Sequence, residues 1–294
     1  MMAAMAFSFV DAPLDRAEHL RSNPSGLAAL WPQARLLLLD GEGLALVDAQ
    51  DALLAVSGGD VAAALPADAV FLGLDDGRGW FALPAESAGL PAPRRIALRA
   101  AAAAWPVREA TAFAQARAVL HWRSRHRYCG ACGGELAFER AGWLGRCGRC
   151  AIEHYPRTDP AVIVSVSDGE RLLLGREATW PAGRWSVLAG FVEPGETLEQ
   201  TVMREVFEES AVRVTACRYL ASQPWPFPSS LMLGFEADAG PDEPVPNTDE
   251  LEAVRWFTRE EIGAALRGEG EIQLSPRISI SRWLIERWHA RPRN

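Results

Sequence analysis

Along the first 125 or so residues, apolar positions come in short runs, Arg35–Leu39, Leu44–Val47 and Val70–Leu74, interrupted by Gly and Asp. Short apolar runs between turn formers predict the strands of an α+β domain. The pattern changes to a helical period over 107–122, after an Ala100–Ala104 run that is helix-compatible filler. Beyond Tyr155–Pro160, Ala161–Val166 and Arg171–Gly175 flank a turn at Asp168-Gly169 and predict a hairpin. A Pro/Gly-marked loop covers Trp180–Gly183, a strand is predicted over Trp185–Leu188, and others near Arg213–Leu220, Leu231–Glu236 and Ala253–Phe257. With helices over Arg259–Leu266 and Ser279–His289, the second half reads as a mixed sheet covered by helices. The first segment carries no catalytic motif, so a supporting or dimerising role is expected of it, and no internal repeat stands out.

One more helix is predicted in between. Thr197 and Gln200 form a capping box just after the Pro194-Gly195 turn. On this helix Glu205, Glu208 and Glu209 share one turn. At about 100° per residue, Glu205 falls on the face of Leu198 and Glu209 on that of Val202. A Glu cluster is ordinarily a solvated helix face. Here two acids point where the apolar residues point, and inward carboxylates repel and resist ionisation unless a cation compensates. Oxygen donors of this kind suit Mg²⁺ or Mn²⁺.

Length and composition narrow the setting. The chain has 294 residues, 49% of them hydrophobic, which is enough for a large core and suggests roughly two domains. No apolar run approaches the roughly 20 residues that span a bilayer, and residues 1–25 mix acids with bases, so a cytoplasmic protein with no membrane partner is expected. The net charge of −8 disfavours sequence-independent binding of long nucleic acid as the main activity. All 30 basic residues are Arg. Without Lys there is no Walker-type phosphate loop, Schiff base or Lys general base.

Four of the five cysteines form two knuckles, Cys129-x2-Cys132 and Cys147-x2-Cys150, fourteen residues apart. That spacing predicts a structural four-thiolate Zn²⁺ site, one per chain. A redox dithiol or two disulfides fit less well in a reducing compartment. Cys217 lies outside the pattern and reads as a core thiol. His126 and His154 are expected to pack or pair near the ribbon. Seven Arg against three Glu between His121 and Arg157 make the ribbon basic, either to meet phosphates or simply to solvate a small surface module.

The stretch 190–212, with Gly190, Glu196, Arg204, Glu205, Glu208 and Glu209, resembles the Nudix box, G-x5-E-x7-R-E-U-x-E-E-x-G-U with U aliphatic. Ser222–Ser230 (SQPWPFPSS) resembles the downstream signature of the NADH pyrophosphatase (NudC-type) family, as does a zinc ribbon placed just before the catalytic domain. The resemblance covers roughly 125–285 and implies the α/β (α+β) class. Its parts would be a Nudix α/β/α sandwich with a mixed sheet over 158–294, a four-Cys zinc ribbon over 125–157, and a Nudix-like α+β domain over 1–124. It implies hydrolysis of the pyrophosphate of NAD(H) to AMP and nicotinamide mononucleotide, action on NAD-capped RNA, and a homodimer.

Carried over by position, the resemblance gives Glu205, Glu208 and Glu209 as ligands of Mg²⁺ or Mn²⁺, joined by Glu250 and the Ala189 carbonyl, with one Glu activating water. Arg204 would orient the carboxylates. The substrate would meet Tyr155, Phe191, the Gln223–Ser230 loop (Gln223, Pro224, Trp225, Pro226, Phe227, Pro228, Ser229, Ser230), the backbone near Ser281, and Arg99 as a phosphate contact. The three prolines are expected to stiffen an extended loop that presents Trp225 and Phe227 to a base, unless those two are core anchors. Ala211 stands where the box has Gly; a positive φ there would cost about 1 kcal/mol without touching the ligands one turn earlier. Two other functions fit less of the sequence: a Nudix hydrolase of another nucleotide such as ADP-ribose, and a non-catalytic nucleotide- or RNA-binding sensor.

Overall fold

The computed structural model describes residues 7–291, which pack as two compact units. The amino-terminal unit is Phe9–Thr158 together with Pro226–Ser229. In chain order it contains α1 (Pro24–Leu30), β1 (Arg35–Leu39), β2 (Ala45–Val47), α2 (Gly58–Val61), β3 (Val70–Asp75) and β4 (Arg78–Pro84). Next come α3 (Ala85–Ala88), β5 (Arg94–Ile96), α4 (Leu98–Ala104) and α5 (Val107–Arg125). The three predicted strands are thus β1, β2 and β3, in a mixed five-stranded sheet of order β3-β4-β1-β2-β5 in which β1 and β4 run parallel. Trp31 stands edge-on to Phe81 at 5.4 Å, and Phe71 lies 5.2 Å from the same ring, so three buried aromatics anchor one face. Helix α5 is the predicted helix over 107–122 extended by one turn; its buried alanines let it lie close against α4 and the sheet. The ribbon follows as β6 (Leu136–Glu139), β7 (Leu144–Cys147) and β8 (Glu153–His154), three short antiparallel strands.

The carboxy-terminal unit comprises Asp159–Trp225, Ser230 onward, and Phe7 and Ser8. Its elements are β9 (Asp159–Ser167), β10 (Arg171–Arg176), β11 (Arg184–Trp185), β12 (Leu188–Phe191) and α6 (Leu198–Ser210). They continue with β13 (Val214–Trp225), β14 (Ser230–Ala239), β15 (Ala253–Thr258), α7 (Arg259–Leu266), β16 (Gln273–Leu274) and α8 (Ile280–Ala290). The sheet runs β13-β14-β9-β10-β15, with β12 also paired to β9 and with β14 parallel to β9. Strand β9 shows how both faces are covered. Val162, Val164 and Val166 pack in one cluster with Val202 and Val206 of α6. The alternate residue Ser167 points the other way and accepts a hydrogen bond from the Trp288 indole of α8 at 3.0 Å. Burial on both faces explains why β9 reads as a continuous apolar run rather than an alternating one.

Two sequence expectations change. The strand over Trp185–Leu188 is split into β11, which pairs with β16, and β12, which pairs with β9, with Ser186 between them bridging Gly175 of β10. The stretch 222–230 is no extended loop: Ser222–Trp225 belongs to β13, Ser230 opens β14, and 226–229 is the turn between them, with a cis Phe227–Pro228 peptide. Pro224 is tolerated inside a ladder because β13 is the edge of its sheet, where a missing N–H leaves no neighbour unpaired.

Candidate active site

Helix α6 begins as its sequence dictates. Thr197 Oγ1 accepts from the Gln200 N–H at 3.2 Å, while Gln200 Oε1 accepts from the Thr197 N–H at 2.8 Å. The helix ends on Ala211 at φ 58°, in the left-handed region favoured by glycine. Between these caps, burial of Val202 and Val206 fixes the rotation of the helix and turns the acids that share their face inward.

Glu209 is only 7% exposed, and its buried Oε2 has no hydrogen-bond partner. Burial first, then the charges of Glu205, Glu250, Glu177 and Glu208, push its carboxyl up to about 8. Burial also raises the carboxyl of Glu205, opposed by Arg204. Strand β12 comes so close to Glu205 that a Cβ on Gly190 would sit 1.8 Å from the Glu205 carboxylate carbon, so any larger residue there would push Glu205 out of its place. Ala189 precedes it on β12, paired with Ile163.

Glu250 is carried by a turn tied to the end of α6: the Asn247 N–H donates to the Glu209 carbonyl at 3.2 Å and the Val245 N–H to that of Ser210 at 2.8 Å. Glu209, Glu250 and Glu177 line one cavity of about 760 Å³, with Thr179 and Thr248. An orphaned buried oxygen inside a group of like charges, beside the close approach of the Gly190 backbone to Glu205, fits a divalent cation bound by oxygen donors.

Arg204 holds the outer side of this group. Its guanidinium donates to Glu196 at 2.6 and 2.9 Å, to Glu208 at 2.9 Å and to the Phe191 carbonyl at 2.9 Å, and pairs with Glu205 at 2.9 Å. These contacts raise the Arg204 pKa, Glu196 contributing most, and hold Glu196 down to about 2. Glu196 also accepts from the Glu193 N–H and the Thr201 hydroxyl, so it fixes the loop on the helix. Glu208, 53% exposed, faces Arg204 rather than the cavity.

The cysteines converge in the ribbon. Sγ atoms of Cys129, Cys132, Cys147 and Cys150 all lie within 4.8 Å of one another, with Cys129–Cys150 at 3.6 Å and Cys132–Cys147 at 3.5 Å. A tetrahedron of 2.3 Å Zn–S bonds has edges of about 3.8 Å, so the set fits Zn²⁺. Backbone N–H groups of Arg149 and Cys150 point at Cys147 Sγ at 3.4 Å, and His154 Nε2 lies 3.3 Å from Cys129 Sγ. His154 therefore packs beside a completed set. Among the described residues this is the one group of three or more candidate ligands gathered so tightly; the α6 carboxylates are more widely spread.

The expected substrate residues divide. Phe191, 59% exposed, borders the acid group through its carbonyl. Tyr155 lies in the amino-terminal unit, 57% exposed, with its hydroxyl on Glu153. In that same unit Arg99 and Arg117 stand 4.4 and 5.0 Å from the Phe227 ring, and Arg117 donates to the Pro226 carbonyl. Gln223 has no exposed surface: its amide donates to the Ser8 and Ile278 carbonyls and accepts from the Ile280 N–H, which makes its side chain an internal tie. Ser281 is buried with its hydroxyl 2.8 Å from that of Ser186. Pro224 and Pro228 are exposed, whereas Trp225, Ser229 and Ser230 are half-buried at the hairpin end. Sequence reasoning passed over Glu177, whose proximity to Glu209 and Glu250 arises from the pairing of β10 with β15.

Comparison with known proteins places these features in a family. Residues 156–277 match a NUDIX domain, 30–122 an NADH pyrophosphatase-like rudimentary NUDIX domain, and 124–155 an NADH pyrophosphatase zinc ribbon domain. An NAD-capped RNA hydrolase NudC from Mycobacterium bovis is 39% identical over 291 residues, spanning 94% of this chain and 92% of that protein. The NAD-capped RNA hydrolase NudC of Stutzerimonas stutzeri is 46% identical over 173 residues, 58% of each chain. Among solved structures, a NUDIX hydrolase from Nitrosomonas europaea is 30% identical, with a TM-score of 0.45 over 56% of this chain and 94% of that one. Similar along nearly its whole length to such a relative, the chain belongs to the NADH pyrophosphatase (NudC-type) family of Nudix hydrolases.

Proposed function

We propose that the protein hydrolyses the pyrophosphate of NAD(H) to AMP and nicotinamide mononucleotide, and removes the NAD cap from RNA 5′ ends. The observation that carries this reading is the buried, partnerless Oε2 of Glu209 among like charges, an arrangement costly to a fold unless a cation uses it. Glu205, Glu209 and Glu250, with the Ala189 carbonyl, would hold Mg²⁺ or Mn²⁺. Bound there, the ion supplies charge neutralisation for the diphosphate and a lowered pKa for the attacking water. One of these glutamates would take the proton from that water. Arg204 keeps Glu205 and Glu208 oriented, and Glu196 keeps Arg204 in place. Phe191 offers an exposed ring to stack on a base. Zn²⁺ on the four cysteines is structural, holding the ribbon strands together.

The family resemblance supports a homodimer in the cytoplasm; among the described residues no helix is long and apolar enough to cross a membrane. The test is product analysis with NADH, NAD⁺, ADP-ribose and NAD-capped RNA, each with Mg²⁺ and with Mn²⁺. AMP release from NADH that depends on the cation and is lost in Glu209→Gln is expected. Full activity in that variant, or turnover of ADP-ribose alone, would refute the assignment.

A further inference from the structure

Glu177 lines the cation cavity with Glu209 and Glu250, as do Asp249 and Glu252, and it lies far from the Nudix box and its downstream signature in sequence. It is the first residue beyond β10, and the β10–β15 ladder sets where it stands. Arg176 pairs with Ala253, and the Glu252 N–H donates to the Arg176 carbonyl at 2.9 Å, so Glu177 lies against the turn that carries Glu250. That turn is in turn hydrogen-bonded to the Glu209 carbonyl. Backbone pairing alone therefore brings acids from three separate segments to one cavity of about 760 Å³.

The neighbouring charges are already committed. Arg176, adjacent to Glu177 in the chain, pairs with Glu252 at 2.7 Å and donates to the Trp180 carbonyl. Among the described residues neither Glu177 nor Glu250 forms an ion pair with an arginine, and Glu177 accepts only a long, 3.4 Å hydrogen bond from the Thr179 hydroxyl. Into the same cavity Glu209 presents a side chain more than nine-tenths buried whose Oε2 has no partner. A group of acids is often a solvated patch. Here the unpartnered buried oxygen is a separate observation that demands a positive ligand.

We propose that Glu177 is a further carboxylate of the cation site, a positioning residue that strengthens divalent metal binding at Glu209 and Glu250, directly or through a metal-bound water. This rests on the reading of those two residues as metal ligands. Outer carboxylates of this kind change metal affinity by about 10- to 100-fold. Because Glu177 is exposed and outside the core, Glu177→Gln leaves the fold intact, which circular dichroism without added metal verifies.

The test is Mn²⁺ binding to the full chain, read by the electron paramagnetic resonance of free Mn²⁺ and by the metal-induced rise in melting temperature. Wild type, Glu177→Gln and Glu177→Asp are compared. We expect Glu177→Gln to bind Mn²⁺ about tenfold or more weakly and Glu177→Asp to recover most of the loss. Equal Mn²⁺ affinity in wild type and Glu177→Gln would overturn the role of Glu177 while leaving the proposed active site standing. Absence of Mn²⁺ binding by the wild type would overturn both.

Discussion

Replacing Glu209 by Gln separates the price of the active site from its use. In the folded chain the Glu209 carboxyl is pushed up to about 8 from an ordinary 4.5, first by burial and then by Glu205, Glu250, Glu177 and Glu208. For an acid raised in this way the folded state favours the protonated form. The penalty is absent below pH 4.5, grows as pH rises, and levels off above about 8. At about 1.36 kcal/mol per pH unit, the site costs the metal-free fold about 3 kcal/mol at pH 7. Glutamine keeps the shape and cannot ionise. Without added Mg²⁺ or Mn²⁺, Glu209→Gln is therefore expected to be the more stable protein at pH 7, by up to about 3 kcal/mol or roughly 5–10 °C in melting temperature. At pH 4.5 the two should melt together. Adding Mn²⁺ should reverse the order, because the wild type gains binding energy and the variant does not. Thermal unfolding from pH 4.5 to 8, with the zinc retained, checks this. A difference that does not widen with pH, or a variant less stable at pH 7, would refute the account of Glu209 as a strained, ionisable group awaiting a cation.

Ala211→Gly should stabilise the protein by about 1 kcal/mol in chemical denaturation, since Ala211 sits at φ 58°, and should leave the hydrolysis rate nearly unchanged. Gly190→Ala should lower NADH hydrolysis at least about 100-fold, because the added methyl overlaps the Glu205 carboxylate; a crystal structure should show Glu205 displaced. Removing zinc with a strong chelator, or Cys132→Ser, should unfold the ribbon, seen as rapid proteolysis between β6 and β8, while the pattern from the carboxy-terminal unit persists.

Much of this was legible in the chain because short-range rules govern it. The capping box at Thr197 fixes the start of α6, the 3.6-residue period turns Glu209 inward, and the knuckle spacing assembles the thiolates. Strands β9 and β10 announce themselves by burial on both faces. What escaped depends on long-range pairing. Gln223 is adjacent to motif residues yet is spent on backbone groups 215 and 55 residues away. Glu177 gains its setting from the register of β10 with β15, which no local pattern encodes. The prolines of 224–228 suggested stiffness correctly in kind but not in shape, since an edge strand accommodates what an interior strand would reject.

The backbone hydrogen bonds from Val245 and Asn247 to the last carbonyls of α6 carry a consequence for how the site can diverge. They are made by main-chain atoms, so an exposed side chain such as Val245 is open to replacement while the separation between the helix acids and Glu250 stays put. Register is the quantity under constraint: one residue inserted between Asn247 and Glu250 would rotate the acid away from the cavity. The segment acts as a ruler, and its length rather than its wording is what the chemistry reads.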